Sequence, residues 1–378
     1  MSEAFGGVYR GRRVLVTGHT GFKGAWLSLW LYELGAEVFG YALQPPTDPN
    51  LFELIRGAVF SSEEHDQRGD IRDLATLESA IERVRPEVIF HLAAQSLVRE
   101  SYADPLGTFQ TNALGTANLL EVVRRRSQPC VVVAVTTDKC YENQEWEFSY
   151  RENDPLGGHD VYSMSKAAAE LVASAWRRSF LQKHGLVRLA TARAGNVIGG
   201  GDYARDRIVP DSIFALSRGE RIPVRNPRAT RPWQHVLECL SGYLCLAAGL
   251  LTAEKSARLE ELQSAFNFGP GAASNRTVEE LVTELLKHWP GGEWDDKQSA
   301  NAPHEAGRLN LAIDKAAAVL SWFPVWEFNE TIYRTVEWYH AANGKTLRDA
   351  DDVLTLTRTQ LRAYAEAARA KQIRWTRA

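Results

Sequence analysis

Tyr162 and Lys166 stand four residues apart in the stretch YSMSK. On a helix that spacing puts both side chains on one face. An ammonium close to a phenol favours the phenolate and lowers the phenol pKa from about 10. A phenolate so placed can take the proton of a sugar hydroxyl while hydride leaves the same carbon, and the lysine can hold a neighbouring ribose. A tyrosine and a lysine at this spacing also occur on ordinary amphipathic helices, so the chemical reading depends on what precedes them.

What precedes them is VTGHTGFKGAWLSLWL, with Gly18, Gly21 and Gly24 three apart between two apolar runs. Glycine costs conformational entropy and is a poor helix former, so bare backbone is required here. After a strand, a first glycine allows a tight turn and a second lets backbone N–H groups approach a pyrophosphate. A third lets the following helix pack against the sheet. The helix N-terminus adds free N–H donors and the positive end of its dipole. A dinucleotide is the implied ligand. Further along come GDIRD with Asp70 and Ile71, then HLAAQ from His91 to Gln95, and VVVAVTTDKCYEN with Thr136, Thr137, Asp138 and Lys139.

The elements that must position these residues alternate in type. RRVLVTG, AEVFGYAL, AVFSS, EVIFHLAA, VVVAVTT and VRLATARAGNV read as strands. Between them GAWLSLWLYELG, LATLESAIERVR, GTANLLEVVRRRS and SKAAAELVASAWRRSF read as helices, the first closed by Gly35. This predicts an α/β fold, a Rossmann-type doubly wound parallel sheet, with a smaller C-terminal substrate-binding region. Residues 1–198 are expected to form the dinucleotide-binding domain with the Tyr/Lys pair. Residues 199–345, richer in Pro, Gly and Arg, are expected to bind substrate and to interleave with the first domain. Residues 346–378 read as an added amphipathic helix, either an oligomer contact or packed on its own domain.

The GxxGxxG spacing, rather than GxGxxG, resembles the short-chain dehydrogenase/reductase superfamily, and its extended branch in particular. That resemblance implies NAD as cofactor. It places Gly18, Thr20, Gly21, Phe22, Lys23 and Gly24 in the turn and Asp70 and Ile71 at the adenine. It puts the backbone of Leu92, Ala93, Ala94 and Gln95 along the cofactor, with Thr136, Tyr162 and Lys166. It gives Thr137 the task of polarising a substrate hydroxyl. A 4-epimerase needs no acid–base pair after that threonine, whereas a 4,6-dehydratase does. Oxidising C4 of a hexose acidifies C5–H. An acid must then protonate the C6 hydroxyl, a base must take the C5 proton, and hydride returns to C6. Asp138 would be the acid and Lys139 the base, served by burial of the first and desolvation or a nearby cation at the second. TGHTGFKGAWL, TTDKCYEN, RAGNVIGGGD, RPWQHV and PHEA together resemble the CDP-glucose 4,6-dehydratase group, over roughly residues 11–340. The substrate this implies is CDP-glucose, with a 4,6-dehydratase or 4-epimerase for another nucleotide sugar as the alternative. Asn196, Val209, Arg231 and Glu305 would then contact substrate, Arg231 through its diphosphate. Three positions depart from the pattern. Ala42 stands where an acid usually grips the adenosine ribose, so NADP is not repelled, although NAD remains favoured because each turnover returns its hydride. Tyr203 and Glu238 replace the usual Trp and Asp, and both read as minor.

Composition narrows the rest. The 378 residues carry a net charge of -3 and 24% charged side chains, which offers no electrostatic case for nucleic acid or an anionic membrane. Cys130, Cys140, Cys239 and Cys245 show no metal or CxxC spacing, and no HExxH pair occurs, so reduced thiols, no metal and a cytoplasmic setting are expected. No apolar run is long enough to span a bilayer, and the N-terminus has no signal-peptide core. The resemblance also implies a homodimer or higher homo-oligomer, through the helices after Thr108 and after Tyr162.

Overall fold

The computed structural model describes residues 3–254, 257–298, 307–347 and 350–377. Its centre is a seven-stranded parallel sheet. Strands β1 (Arg13–Thr17), β2 (Glu37–Ala42), β3 (Asp66–Arg68), β4 (Val88–His91), β5 (Cys130–Val135) and β6 (Val187–Arg193) are joined by a seventh, Ala265–Asn267. The spatial order runs from Ala265–Asn267 through β6, β5, β4, β1 and β2 to β3. The order reverses between β1 and β4, so a crevice opens at their C-terminal ends, where open α/β sheets bind ligands. The central strands are largely apolar, β5 being buried along its full length, because helices cover both faces.

One face carries α3 (Leu74–Val84), α6 (Gly115–Arg126) and α7 (Val161–Trp176), packed on Leu15, Ile89 and Val132. Between β4 and α6 run the short helices α4 (Val98–Ala103) and α5 (Pro105–Phe109). The other face carries α1 (Phe22–Glu33), α2 (Leu51–Val59) and the helix Val236–Thr252. Every residue of α1 from Gly24 to Leu31 is buried, so this helix is apolar all round rather than along one stripe. The reason lies at the other end of the chain. The C-terminal helix Asp351–Ala370 covers α1 from outside, with Trp30 edge-on to Tyr364 and Trp375, and Phe5 stacked on Trp375 at 4.7 Å. The tail is therefore packed on its own chain. Gly35, at φ 84°, ends α1 in the left-handed conformation, as expected from its position.

One expected strand is absent. AVFSS holds the end of α2, whose Leu51, Phe52, Leu54, Ile55 and Val59 form a buried stripe begun by an Asn50 cap. Val and Phe suggested a strand by composition, but helical spacing governs. The real third strand, Asp66-Gln67-Arg68, is three polar residues at the sheet edge and carries no apolar signal. After β6 the described residues add three two-stranded ribbons, pairing 197–198 with 234–235, 230–232 with 275–277, and 222–224 with 294–296. These lie across the crevice from α4. The four cysteines are buried free thiols, and no helix among the described residues is long and apolar enough to cross a membrane.

Candidate active site

A cavity of about 820 Å3 follows the crevice from the glycine turn to the ribbons. At one end, Gly18 sits at φ 76°, and a side chain there would strike the backbone of Leu92 and Ala93. Gly21 caps α1 in extended conformation and leaves open space beside it: a methyl added there would have the Gly18 carbonyl as its nearest neighbour, at 3.4 Å. A methyl on Gly24 would collide with that same Gly18 carbonyl and with His19. The third glycine thus lets the helix start pack on the turn itself rather than on the sheet. His19 locks the turn from behind. Its Nε2 meets Asp66 Oδ1 at 2.9 Å, and Gly40 leaves room for its ring. Burial holds His19 below the usual imidazole range.

Phe22, Lys23, Asp70, Ile71, Leu92, Ala93, Ala94 and Gln95 all line this half of the cavity, as does Thr20, whose hydroxyl donates to the Leu43 carbonyl at 3.1 Å. Asp70 is clasped by Arg72 at 2.6 Å, which holds its carboxyl below the ordinary range. Ala42 closes β2 at the cavity wall. In place of an acidic side chain, the Leu43 carbonyl beyond it is gripped by Thr20 and by Arg68 at 3.2 Å. His91 is neutral and structural. It bridges Thr17 at 2.7 Å and Thr116 at 3.1 Å, and burial pushes its pKa down to about 3. Gln95 is fixed by Asn112 and Thr108, at 2.9 Å each.

In the middle of the cavity β5 ends and α7 begins. Asp160, two residues before Tyr162, caps α7 by accepting from the Ser163 N–H. Thr137 hydrogen-bonds the Tyr162 phenol and donates to Asp138 Oδ1 at 2.9 Å. Asp138 is 2% exposed, and its Oδ2 has no hydrogen-bond partner among the described residues. Lys139 is half-buried at the cavity wall. Lys166 Nζ reaches the Val135 carbonyl at 3.4 Å. The expected lowering of the phenol is not what this arrangement produces. Burial raises Tyr162 to about 12, and Thr137 and Arg207 offset only part of it. Lys166 is itself pushed down to about 8 by burial and by the charge of Lys23. Desolvation penalises both charged forms, and here it is the largest influence on each.

Thr136 lines the cavity, yet its hydroxyl is committed to Glu170 at 2.5 Å. Asn196, held at φ 49°, Val209 and Arg231 line the far end. Arg231 donates to the Thr230 carbonyl at 3.0 Å and to that of Gly307 at 3.3 Å. Glu305 lies outside the described residues. Three further residues complete the corner without having drawn attention in the sequence. Gly195 faces Asp138 so closely that a methyl there would overlap its carboxylate. Arg207 joins Asp202 at 2.7 Å and Ser96 at 3.3 Å beside Tyr162. Glu170 pairs with Arg193 at 2.9 Å beneath the corner. Of these, only Glu170 had a readable signal, its place four residues after Lys166.

The family model described as GDP-mannose 4,6 dehydratase matches residues 15–335. A curated CDP-glucose 4,6-dehydratase of Salmonella typhimurium is 46% identical over 364 residues, covering 95% of this chain and 98% of its own. A dTDP-glucose 4,6-dehydratase of Streptomyces antibioticus is 31% identical, over 86% of this chain and 92% of its own. Among solved structures, the dTDP-glucose 4,6-dehydratase of Streptomyces venezuelae, determined with NAD bound, superposes with a TM-score of 0.71 at 25% identity. It covers 88% of this chain and 98% of its own.

Proposed function

The chain belongs to the GDP-mannose 4,6-dehydratase family, and from that membership we propose that it converts CDP-glucose to CDP-4-keto-6-deoxyglucose with NAD as a recycled cofactor. The observation that carries the reading is the corner itself. Thr137, Asp138 and Lys139 follow β5 directly beside Tyr162 in one cavity, and a carboxylate oxygen of Asp138 makes no hydrogen bond among the described residues.

The residues present fit a dinucleotide. The Gly18 and Gly24 positions admit no side chain, Gly21 leaves space at the helix N-terminus, and Asp70 and the 92–95 backbone continue the same wall. Bound there, NAD would accept hydride from C4 of the sugar and return it to C6. Tyr162 takes the C4 hydroxyl proton, and Thr137 orients that hydroxyl. Arg207 supplies positive charge that favours the phenolate in a buried site, and Lys166, on the same helix face, lines the same cavity. Asp138 delivers a proton to the C6 hydroxyl as it leaves, and Lys139 removes the C5 proton. Asn196, Val209 and Arg231 receive the nucleotide end, Arg231 pairing with the diphosphate. In this division of labour residues 1–198 hold the cofactor and catalytic groups, residues 199–345 hold most of the substrate, and the tail braces α1.

Association of two copies is part of the reading. Leu106, Phe109, Leu114, Met164 and Leu171 expose their side chains on the α5–α6 and α7 surface, Leu106 at 74%. Their burial in a homodimer is supported by the apolar area they present. The cytoplasm is the setting proposed, on the strength of four free thiols.

The deciding experiment offers CDP-, dTDP-, UDP- and GDP-glucose to the protein with NAD and reads products by mass. Loss of one water from CDP-glucose alone is the expected result. Loss from another nucleotide sugar overturns the substrate but keeps the mechanism. Epimerisation without a mass change overturns the roles of Asp138 and Lys139.

A further inference from the structure

α7 carries three ionisable or proton-bearing groups at four-residue intervals, not two: Tyr162, Lys166 and Glu170. All three lie on one stripe of the helix and all are buried. The Glu170 carboxylate accepts from Thr136 Oγ1 at 2.5 Å, Thr191 Oγ1 at 2.7 Å and Arg193 Nη2 at 2.9 Å. Thr136 is the residue immediately before Thr137-Asp138-Lys139, while Thr191 and Arg193 belong to β6. Arg193 is held in turn by the Tyr141 hydroxyl at 2.8 Å and the Glu152 carbonyl at 3.1 Å, and Tyr141 donates to Asn267 at 2.7 Å. One carboxylate therefore fastens α7 to two adjacent strands where β5 hands over to its functional trio.

A buried ion pair is a weak source of stability, since apolar groups of the same size often do as well. This pair is better explained by where it stands. We propose that Glu170 is a positioning residue, with Arg193 as its counter-ion. It holds the Thr136–Lys139 segment against the Tyr162–Lys166 face and keeps a negative charge beside the Lys166 ammonium. Lys166 is faced by Lys23 from α1, His91 from β4, Cys140 after β5, and Glu170 from its own helix. Glu170 is faced by Arg193 from β6 and by Arg177 from the continuation of α7. Lys23 opposes the ammonium and Glu170 favours it. Both the kinetic half of the proposal and its choice of substrate rest on the dehydratase reading; the electrostatic half does not.

The test uses two variants, with Lys166→Met as an assignment control. Glu170→Gln alone leaves Arg193 charged and uncompensated in the core, so Glu170→Gln/Arg193→Gln, which removes both charges, is the principal one. The first readout needs no substrate. Lys166 is titrated by 15N NMR of lysine-labelled protein, its signal assigned by loss in Lys166→Met. Its midpoint is expected to fall by about half a unit or more in the double variant. The second readout is turnover of CDP-glucose, where kcat falls about tenfold or more while KM moves less than about threefold, and the alkaline limb shifts to lower pH. Glu170→Asp keeps the charge but shortens the tether, so the Lys166 midpoint stays while kcat drops. A folded double variant in which either readout is unmoved overturns the proposal. If the double variant does not fold, Glu170→Asp decides alone, and wild-type kcat in it overturns the proposal. A wild-type protein that leaves CDP-glucose untouched overturns the functional reading instead, and the Lys166 titration still judges Glu170.

Discussion

Glu170 and Glu238 invite comparison. Both are buried on helices that flank the sheet, at 4% and 0% exposure, and each gathers three hydrogen-bond donors. Glu170 sits under the catalytic corner. Glu238, on the helix Val236–Thr252, joins the 325–326 segment to the C-terminal tail, accepting from the Val325 N–H at 2.9 Å, the Trp326 N–H at 2.7 Å and the Tyr364 hydroxyl at 2.7 Å. The donors to Glu238 are neutral, and burial pushes it up to about 7. Glu170 has a guanidinium among its donors and is held below the ordinary carboxylate range although it too is buried. A single counter-charge separates a carboxylate that stays ionised for chemistry from one that fastens two elements near neutrality. Glu238 is accordingly no minor departure: its carboxylate is where the tail is attached.

The contrast can be broken at the corner with the largest effect. Tyr162→Phe removes the proton acceptor, and product formation is expected to fall by about 10^3-fold or more, while thermal unfolding, which reports the tail, changes little. Asp138→Asn with Lys139→Met comes next. It spares oxidation and blocks water loss, so reduced cofactor accumulates in a single turnover, read by its near-ultraviolet absorbance, without any dehydrated product. Dehydrated product at the normal rate would remove both residues from their roles. Gly195→Ala puts a methyl against the Asp138 carboxylate and displaces it, for an expected loss of about 100-fold in kcat with the Lys166 titration unchanged.

On the other side of the comparison the effect falls on stability rather than turnover. Between the ordinary carboxylate range and about 7, the folded protein holds a proton on Glu238 that the unfolded chain has released. Its contribution to stability is therefore complete at low pH and lost as pH rises through about 7, amounting to about 3 kcal/mol. Urea midpoints at several pH values check this. Glu238→Gln, which imitates the protonated carboxyl, flattens that part of the curve, and a curve unchanged by the substitution would contradict the assignment. Activity should be untouched.

Much of this was legible in the residues. Strand–helix alternation, three glycines at fixed spacing and a tyrosine four before a lysine are local patterns. Each is imposed by one element's geometry, so a linear string can display it. The polar edge strand 66–68 was not legible, because an edge pairs through its backbone and needs no apolar side chains. Nor was the all-round burial of α1, whose outer face is covered by Trp375 and Tyr364 from the far end of the chain.

The sequence by itself determined the doubly wound class and the dinucleotide turn, since these follow from spacing within single elements, while Thr137, Asp138 and Lys139 were named through the family resemblance. Only the tertiary structure decided their electrostatic states and supports. It set Gly195 against Asp138, put Arg193 on Glu170 and gave Glu238 neutral donors alone. The physical reason is that burial and counter-charge arise between elements 23 to 126 residues apart. A pKa or a close contact there depends on distances that no spacing along one segment encodes.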